Sequence, residues 1–157
     1  MIPGGRLCGC GRQGCLEAHA SRLAIASDAI AAVYRGQAPA LRELVGTDLS
    51  DMRSRTLAKA IAAGDEIVEQ IVRRAAYLLG TATASMVNLL APDVVVLGGG
   101  LVEALEHIYV MEVREAIAQQ AMPFLGRKVK VCAAKLGDHA SVMGGAALAQ
   151  EAFGGKS

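Results

Sequence analysis

The run DVVVLGGG at residues 93–100 does most to limit what this chain can fold into. Three β-branched residues in succession disfavour helix and suit a pleated strand. No polar residue alternates with them, so the strand over residues 93–97 is expected to be covered on both faces, as in the parallel sheet of an α/β protein. Gly98, Gly99 and Gly100 end it and open into a helical pattern over residues 101–120, which stops near Pro123. A second strand is expected at residues 128–133, KVKVCA, by its alternation. Two strands make a poor sheet by themselves. They are expected to extend a sheet supplied by other segments, and the chain reads as part of a larger α/β unit.

The rest of the pattern is helical. Residues 3–14 form a glycine- and cysteine-rich loop. An alanine-rich helix is expected from Cys15 to about Tyr34, ended by Gly36. A short helical turn at residues 40–45 leads into a loop containing Thr47, Asp48 and Asp51. A helix over residues 55–63 is closed by Gly64. Asp65 is then expected to cap a long helix that carries Ile67, Ile71, Leu78 and Leu79 and ends before Pro92. Residues 137–139 read as a turn and 140–153 as a final helix rich in alanine and glycine, followed by a frayed tail.

Composition excludes several classes. At 157 residues the chain has the size of one domain with a single core. Hydrophobic residues make up 53% and charged residues 20%, which rules out intrinsic disorder. A net charge of +1 and 3% aromatics argue against a nucleic-acid surface. The most apolar stretch, residues 75–87, is too short to span a bilayer and contains Thr81, Thr83 and Ser85. No secretory h-region follows the N-terminus, so a cytoplasmic protein without membrane contact is expected.

Three of the four cysteines fall within eight positions, in CGCGRQGC. Cys8 and Cys10 are too close for an unstrained disulfide, and a reducing cytosol would not keep one. Tight turns at the interleaved glycines could wrap Cys8, Cys10 and Cys15 around one structural zinc ion. A fourth ligand is not evident, since His19 lies in the first turns of the following helix. Glu17 by itself reads as an ordinary acidic residue at a helix start. The three glycines at residues 98–100 read either as a tight turn or as a place where phosphate or ribose can approach backbone N–H groups. A dinucleotide fingerprint fits poorly, because its third glycine would fall at Glu103. Asp138 and His139 read as a turn with a helix cap, His107 as a surface residue, and Cys132 as a core thiol.

The segment CGCGRQGCLEAHAS resembles the zinc-binding signature of the ROK family (repressors, open reading frames and kinases). NLLAPDVVVLGGGL is similar to that family's second nucleotide-binding segment, and LGDHASVMGGAALA to its C-terminal helix. The resemblance covers nearly all of this chain but only the C-terminal half of a family member. It implies an α/β fold, the helix-rich C-terminal lobe of an actin-like or hexokinase-like (ribonuclease H-like) ATPase, forming one domain over residues 1–157. It implies that Cys8, Cys10 and Cys15 ligate zinc, with the fourth ligand an upstream histidine that has no counterpart here. It implies that Glu17 hydrogen-bonds sugar hydroxyls and that Gly98, Gly99 and Gly100 help hold ATP, used with Mg.

In that family the phosphate loop and the catalytic aspartate belong to the N-terminal lobe, so no catalytic residue is expected in this chain. The chain alone is therefore expected to be inactive, and the intact protein to phosphorylate a hexose or N-acetylhexosamine. The alternatives are the sugar-sensing domain of a ROK repressor and a non-catalytic module that self-associates. A homo-oligomer is expected from the apolar face that a missing lobe would leave uncovered.

Overall fold

The structure, a computed structural model, describes residues 2–46 and 52–154, and the side chain of Asp138 lies outside that description. The loop expected around Thr47 to Asp51 and the end of the tail also lie outside the described residues. The elements run α1 (Glu17–Ala20), α2 (Arg22–Tyr34), α3 (Pro39–Val45), α4 (Ser54–Ala62), α5 (Glu66–Leu90), β1 (Val94–Leu97), α6 (Gly100–Ala104), α7 (Glu106–Gln120), α8 (Pro123–Lys128), β2 (Lys130–Ala133) and α9 (Ala140–Phe153). A short 3-10 turn, Gly137–His139, precedes α9.

The long helix α5 organises the core. Its buried stripe is Val68, Val72, Ala75, Ala76, Gly80, Ala84 and Val87. These are smaller than Ile67, Ile71, Leu78 and Leu79, which are only half-buried. Small residues along the stripe let α7 come close. At Gly80 an added Cβ would stand 2.6 Å from the Ala116 Cβ and 2.9 Å from the Val113 Cα. The opposite flank of α5 packs against α1 and α2.

β1 and β2 pair in parallel, with Val94 opposite Lys130, Val95 opposite Val131, Val96 opposite Cys132 and Leu97 opposite Ala133. They are the only sheet among the described residues. The expectation of cover on both faces holds for one face only. Leu97 and Val131 are buried, whereas Val94 and Val96 are 48% and 61% exposed. Cys132 lies on the same bare face, so it is an exposed thiol and not a core one.

Other expectations are also corrected. The helix after Cys15 breaks at Ser21, whose extended backbone ends α1 and whose hydroxyl accepts a hydrogen bond from the Ala24 N–H at 3.2 Å, capping α2. The helix expected over residues 101–120 breaks at Leu105, which separates α6 from α7. Pro123 does more than stop α7, because it also starts α8, consistent with its liking for the first helical turn. Asp65 stands at the cap position of α5, but its side chain makes no cap there. It turns instead to α3, where Oδ1 and Oδ2 accept from the Ala40 and Leu41 N–H groups at 3.2 and 2.6 Å. The carboxylate thus replaces the side-chain cap that Ala38 cannot provide. The last helix, α9, buries none of its residues, and Val142, Met143, Leu148 and Phe153 all face outward.

Candidate functional site

Residues 2–15 fold into a small hairpin. The Cys8 N–H donates to the Arg12 carbonyl at 2.8 Å, the Gly14 N–H to the Arg6 carbonyl at 2.9 Å, and the Ile2 N–H to the Gly14 carbonyl at 2.8 Å. Leu7 and Gln13 form an antiparallel bridge across it. Gly14 is obligatory, because its φ of +73° is open to glycine and a Cβ there would collide with the Ile2 carbonyl oxygen.

This folding brings Cys8, Cys10 and Cys15 together, with their sulfurs all within 4.8 Å of one another. The Cys10 and Cys15 sulfurs are 3.6 Å apart. Zinc–sulfur bonds of about 2.3 Å in a tetrahedron place sulfurs roughly 3.8 Å apart, so the donors fit such an ion. The Arg12 backbone amide does most to pull the Cys10 thiol below its ordinary value, with help from Cys15 and Cys8. Cys15 is pushed up to about 11, chiefly because its hydrogen is shared with Cys10. A lone thiolate is thus well solvated by the hairpin and a second is resisted, a penalty that a divalent cation reverses.

His19 does not join the cluster. Its Nε2 accepts the Arg6 backbone N–H at 3.0 Å and braces the hairpin against α1. Among the described residues no other histidine, cysteine or carboxylate completes the group. Arg6 also holds Asp28 of α2 through both carboxylate oxygens at 2.8 Å. This pair rims a cavity of about 330 Å³ between α2 and α5. Glu17 follows Cys15 by two positions, opens α1 and is exposed. It lines neither this cavity nor the groove at the glycine turn.

Gly98, Gly99 and Gly100 join the end of β1 to α6. Only Gly99 requires glycine by its backbone, with φ +101°. It stands at the cap position of α6, which no side chain caps. An open groove of about 450 Å³ lies at this turn, walled by Gly98 to Leu101 and by Arg22, Arg53 and Ser54. Sequence reasoning missed those last three. They come from α2 and from the start of α4, and no local pattern links them to residues 98–100.

The weaker candidates do not form a centre. His107 is exposed on α7, as expected. His139 stands at the cap position of α9 and is exposed, and its own side chain makes no cap hydrogen bond, while the cap expected from Asp138 falls on a side chain outside the described ones.

The fold is that of a helix-rich α/β protein of the actin-like, hexokinase-like class. The sequence matches the ROK family profile over residues 1–152, and the chain belongs to that family. It is 29% identical over 153 residues to a glucokinase of Thermotoga maritima, covering 98% of this chain and 48% of that protein. It is 35% identical over 148 residues to an N-acetylmannosamine kinase of Shigella boydii serotype 18, covering 94% of this chain and 44% of the other. It is 28% identical over 151 residues to the DNA-binding transcriptional dual regulator NagC of Escherichia coli K12, covering 96% and 35%. Among solved structures, a ROK family glucokinase from Streptomyces griseus in complex with glucose and AMPPNP superposes with a TM-score of 0.79 at 28% identity. That match covers 96% of this chain and 49% of the glucokinase. The chain therefore spans half or less of the length of the relatives it matches. No helix among the described residues is long and apolar enough to cross a membrane.

Proposed function

We propose that this chain is the C-terminal lobe of a ROK-type sugar kinase. The observation that carries the proposal is the thiol hairpin with Glu17 held immediately behind it. In this reading Cys8, Cys10 and Cys15 hold a structural zinc, which cross-links the hairpin and stiffens the start of α1. Glu17 then accepts hydrogen bonds from vicinal sugar hydroxyls as a pre-positioned carboxylate. The turn at Gly98, Gly99 and Gly100 takes the nucleotide, supplied as ATP with Mg. The intact protein transfers the γ-phosphoryl group to a hexose or N-acetylhexosamine hydroxyl. That reaction needs phosphate clamps, a magnesium site and a base for the hydroxyl. On the family resemblance that base belongs to the N-terminal lobe, so in this reading the C-terminal lobe alone has no turnover.

The bare sheet face and the exposed α9 support burial against further protein, within a homo-oligomer or a second lobe. Free thiols in the hairpin support a reducing, cytoplasmic setting. The relation to NagC supports a second reading, the sugar-sensing domain of a ROK repressor.

The test is the intact mass and N-terminal sequence of the native product. A product of about twice this mass that opens on a phosphate-binding loop supports the kinase. A helix-turn-helix upstream supports the repressor. A native product of 16.2 kDa overturns the lobe assignment, as does phosphorylation of glucose or N-acetylmannosamine by the purified chain.

A further inference from the structure

Two thiols of the hairpin are placed for a reaction besides metal binding. Cys8, Cys10 and Cys15 are all free, and the Cys10 and Cys15 sulfurs stand 3.6 Å apart. The two atoms are in van der Waals contact, and a disulfide requires about 2.05 Å. Closing the gap takes a shift of only about 1.5 Å.

The local structure permits that shift. Cys10 sits on the turn at the tip of the hairpin, where the Gly11 N–H donates to the Cys8 carbonyl at 2.9 Å. Gly9, Cys10, Gly11 and Arg12 are all exposed. Nothing lies within 4 Å of where a Cβ on Gly9 or Gly11 would sit, so the tip can adjust without displacing packed atoms. Cys15 is held more firmly. It is half-buried and follows Gly14, whose backbone bonds to both Ile2 and Arg6. A sulfur on an open turn thus faces a sulfur on a pinned segment. Other pairings are poorer. Cys8 and Cys10 have one residue between them, which strains a disulfide ring. Cys132 lies on β2 against the Val95 carbonyl, outside the cluster.

We propose that Cys10 and Cys15 form a peroxide-oxidisable pair that closes to a disulfide when the hairpin holds no metal. The sulfur of Cys10, the more exposed of the two, attacks one oxygen of hydrogen peroxide and breaks the O–O bond. That oxygen stays on sulfur as a sulfenic acid, and the other leaves as water with the Cys10 proton. The Cys15 sulfur then attacks the Cys10 sulfur and forms the S–S bond. The sulfenic OH leaves as a second water with the Cys15 proton. Two thiols are oxidised and one peroxide is reduced. A dithiol reductant reverses the bond by exchange. Metal ligation needs thiolates, so the disulfide removes two of the three donors, and metal and disulfide exclude each other. That exclusion rests on the zinc reading given above, whereas the pairing itself does not.

The test exposes the chain, zinc-loaded or stripped with a chelator, to a small excess of hydrogen peroxide. Remaining thiols are blocked with N-ethylmaleimide, and intact and tryptic masses are read without reduction. Arg12 lies between the two cysteines, so trypsin separates them unless they are linked. The stripped wild type should lose about 2 Da, keep about two of its four thiols and show Cys10 linked to Cys15. Dithiothreitol should restore all four. C8S and C132S should close the same bond. C10S and C15S should gain about 16 or 32 Da instead. Circular dichroism melts check that each variant folds, and the wild-type map decides the pairing whether or not it does. Zinc should slow closure about tenfold or more, and a chromophoric chelator should register about one zinc released per disulfide formed. A stripped wild type that takes up oxygen without a cross-link would overturn the pair and leave the zinc reading standing. Linkage through Cys8, through Cys132 or between chains would do the same. A chain that closes the bond but binds no zinc would uphold the pair and overturn the zinc reading. Zinc retained beside a Cys10–Cys15 disulfide would overturn the exclusion.

Discussion

Replacing Gly80 by alanine sets two known effects against each other. Gly80 lies inside α5, where alanine is favoured over glycine by about 1 kcal/mol on helix propensity. The new methyl group would stand 2.6 Å from the Ala116 Cβ, 2.9 Å from the Val113 Cα and 3.2 Å from the Val113 carbonyl oxygen. Two of those three atoms are backbone, so no side-chain rotation relieves the contact. Relief requires α7 to move away from α5 along the most extensive helix pair in the fold. Overpacking of this kind costs about 1–3 kcal/mol, and a backbone clash belongs at the upper end. The net expectation is a loss of about 2 kcal/mol, or roughly 4–8 °C in Tm for a chain of this size. Urea and thermal unfolding followed by circular dichroism measure it. G144A in α9 is the control, since nothing lies within 4 Å of its would-be Cβ and helicity there should rise. A G80A chain as stable as the wild type would refute the close-approach argument.

Tyr109 is 3% exposed and its hydroxyl has no partner, so Tyr109→Phe should raise stability by about 1–2 kcal/mol in urea titrations. Burial pushes the Tyr109 hydroxyl from 10.0 up to about 12. The folded chain thus keeps a proton that the unfolded chain loses. That contribution is complete below pH 10 and is lost as pH rises through 12. Unfolding titrations across this window should show the wild type losing stability and Tyr109→Phe losing less. Asp65→Ala strands the Ala40 and Leu41 N–H groups and should cost about 2–3 kcal/mol, whereas a loss under about 0.5 kcal/mol would sink the cross-helix cap. Atomic emission should find about one zinc per wild-type chain and little in Cys10→Ser. His19→Ala should keep the metal, and loss of zinc in that variant would show that the metal depends on His19, as a ligand or through its brace on the Arg6 N–H.

The legible parts of the fold were those coded locally. The valine run specified β1, the apolar periodicity specified α5, and cysteine spacing alone specified the thiol cluster. The break at Ser21 had a readable signal, a serine three residues before the Ala24 N–H that it caps. Leu105 had none, because a leucine inside an apolar pattern carries no mark of a chain reversal. Asp65 was misread because propensity names the helix a cap adjoins, whereas tertiary packing chose the helix it serves. Cys132 was misread because alternation shows that a strand has two faces but not that one of them is bare. The groove at the glycine turn was invisible for the same reason. Its arginines lie far from residues 98–100 in sequence and meet them only after three helices converge.

The 25 residues of α5 form one uninterrupted helix. At about 1.5 Å per residue they measure close to 37 Å. The thiol hairpin braces against its first half through α1, and β1 departs within four residues of its end. Length and phase are therefore locked together. Inserting or deleting a single residue in α5 would turn everything beyond it by about 100° and slide it by about 1.5 Å. The glycine turn would then leave its alignment with the starts of α2 and α4. Sequence drift along α5 can proceed by substitution, while changes in its length are barred. Loops elsewhere are free to absorb insertions, which makes this helix the ruler against which both ends of the chain are set.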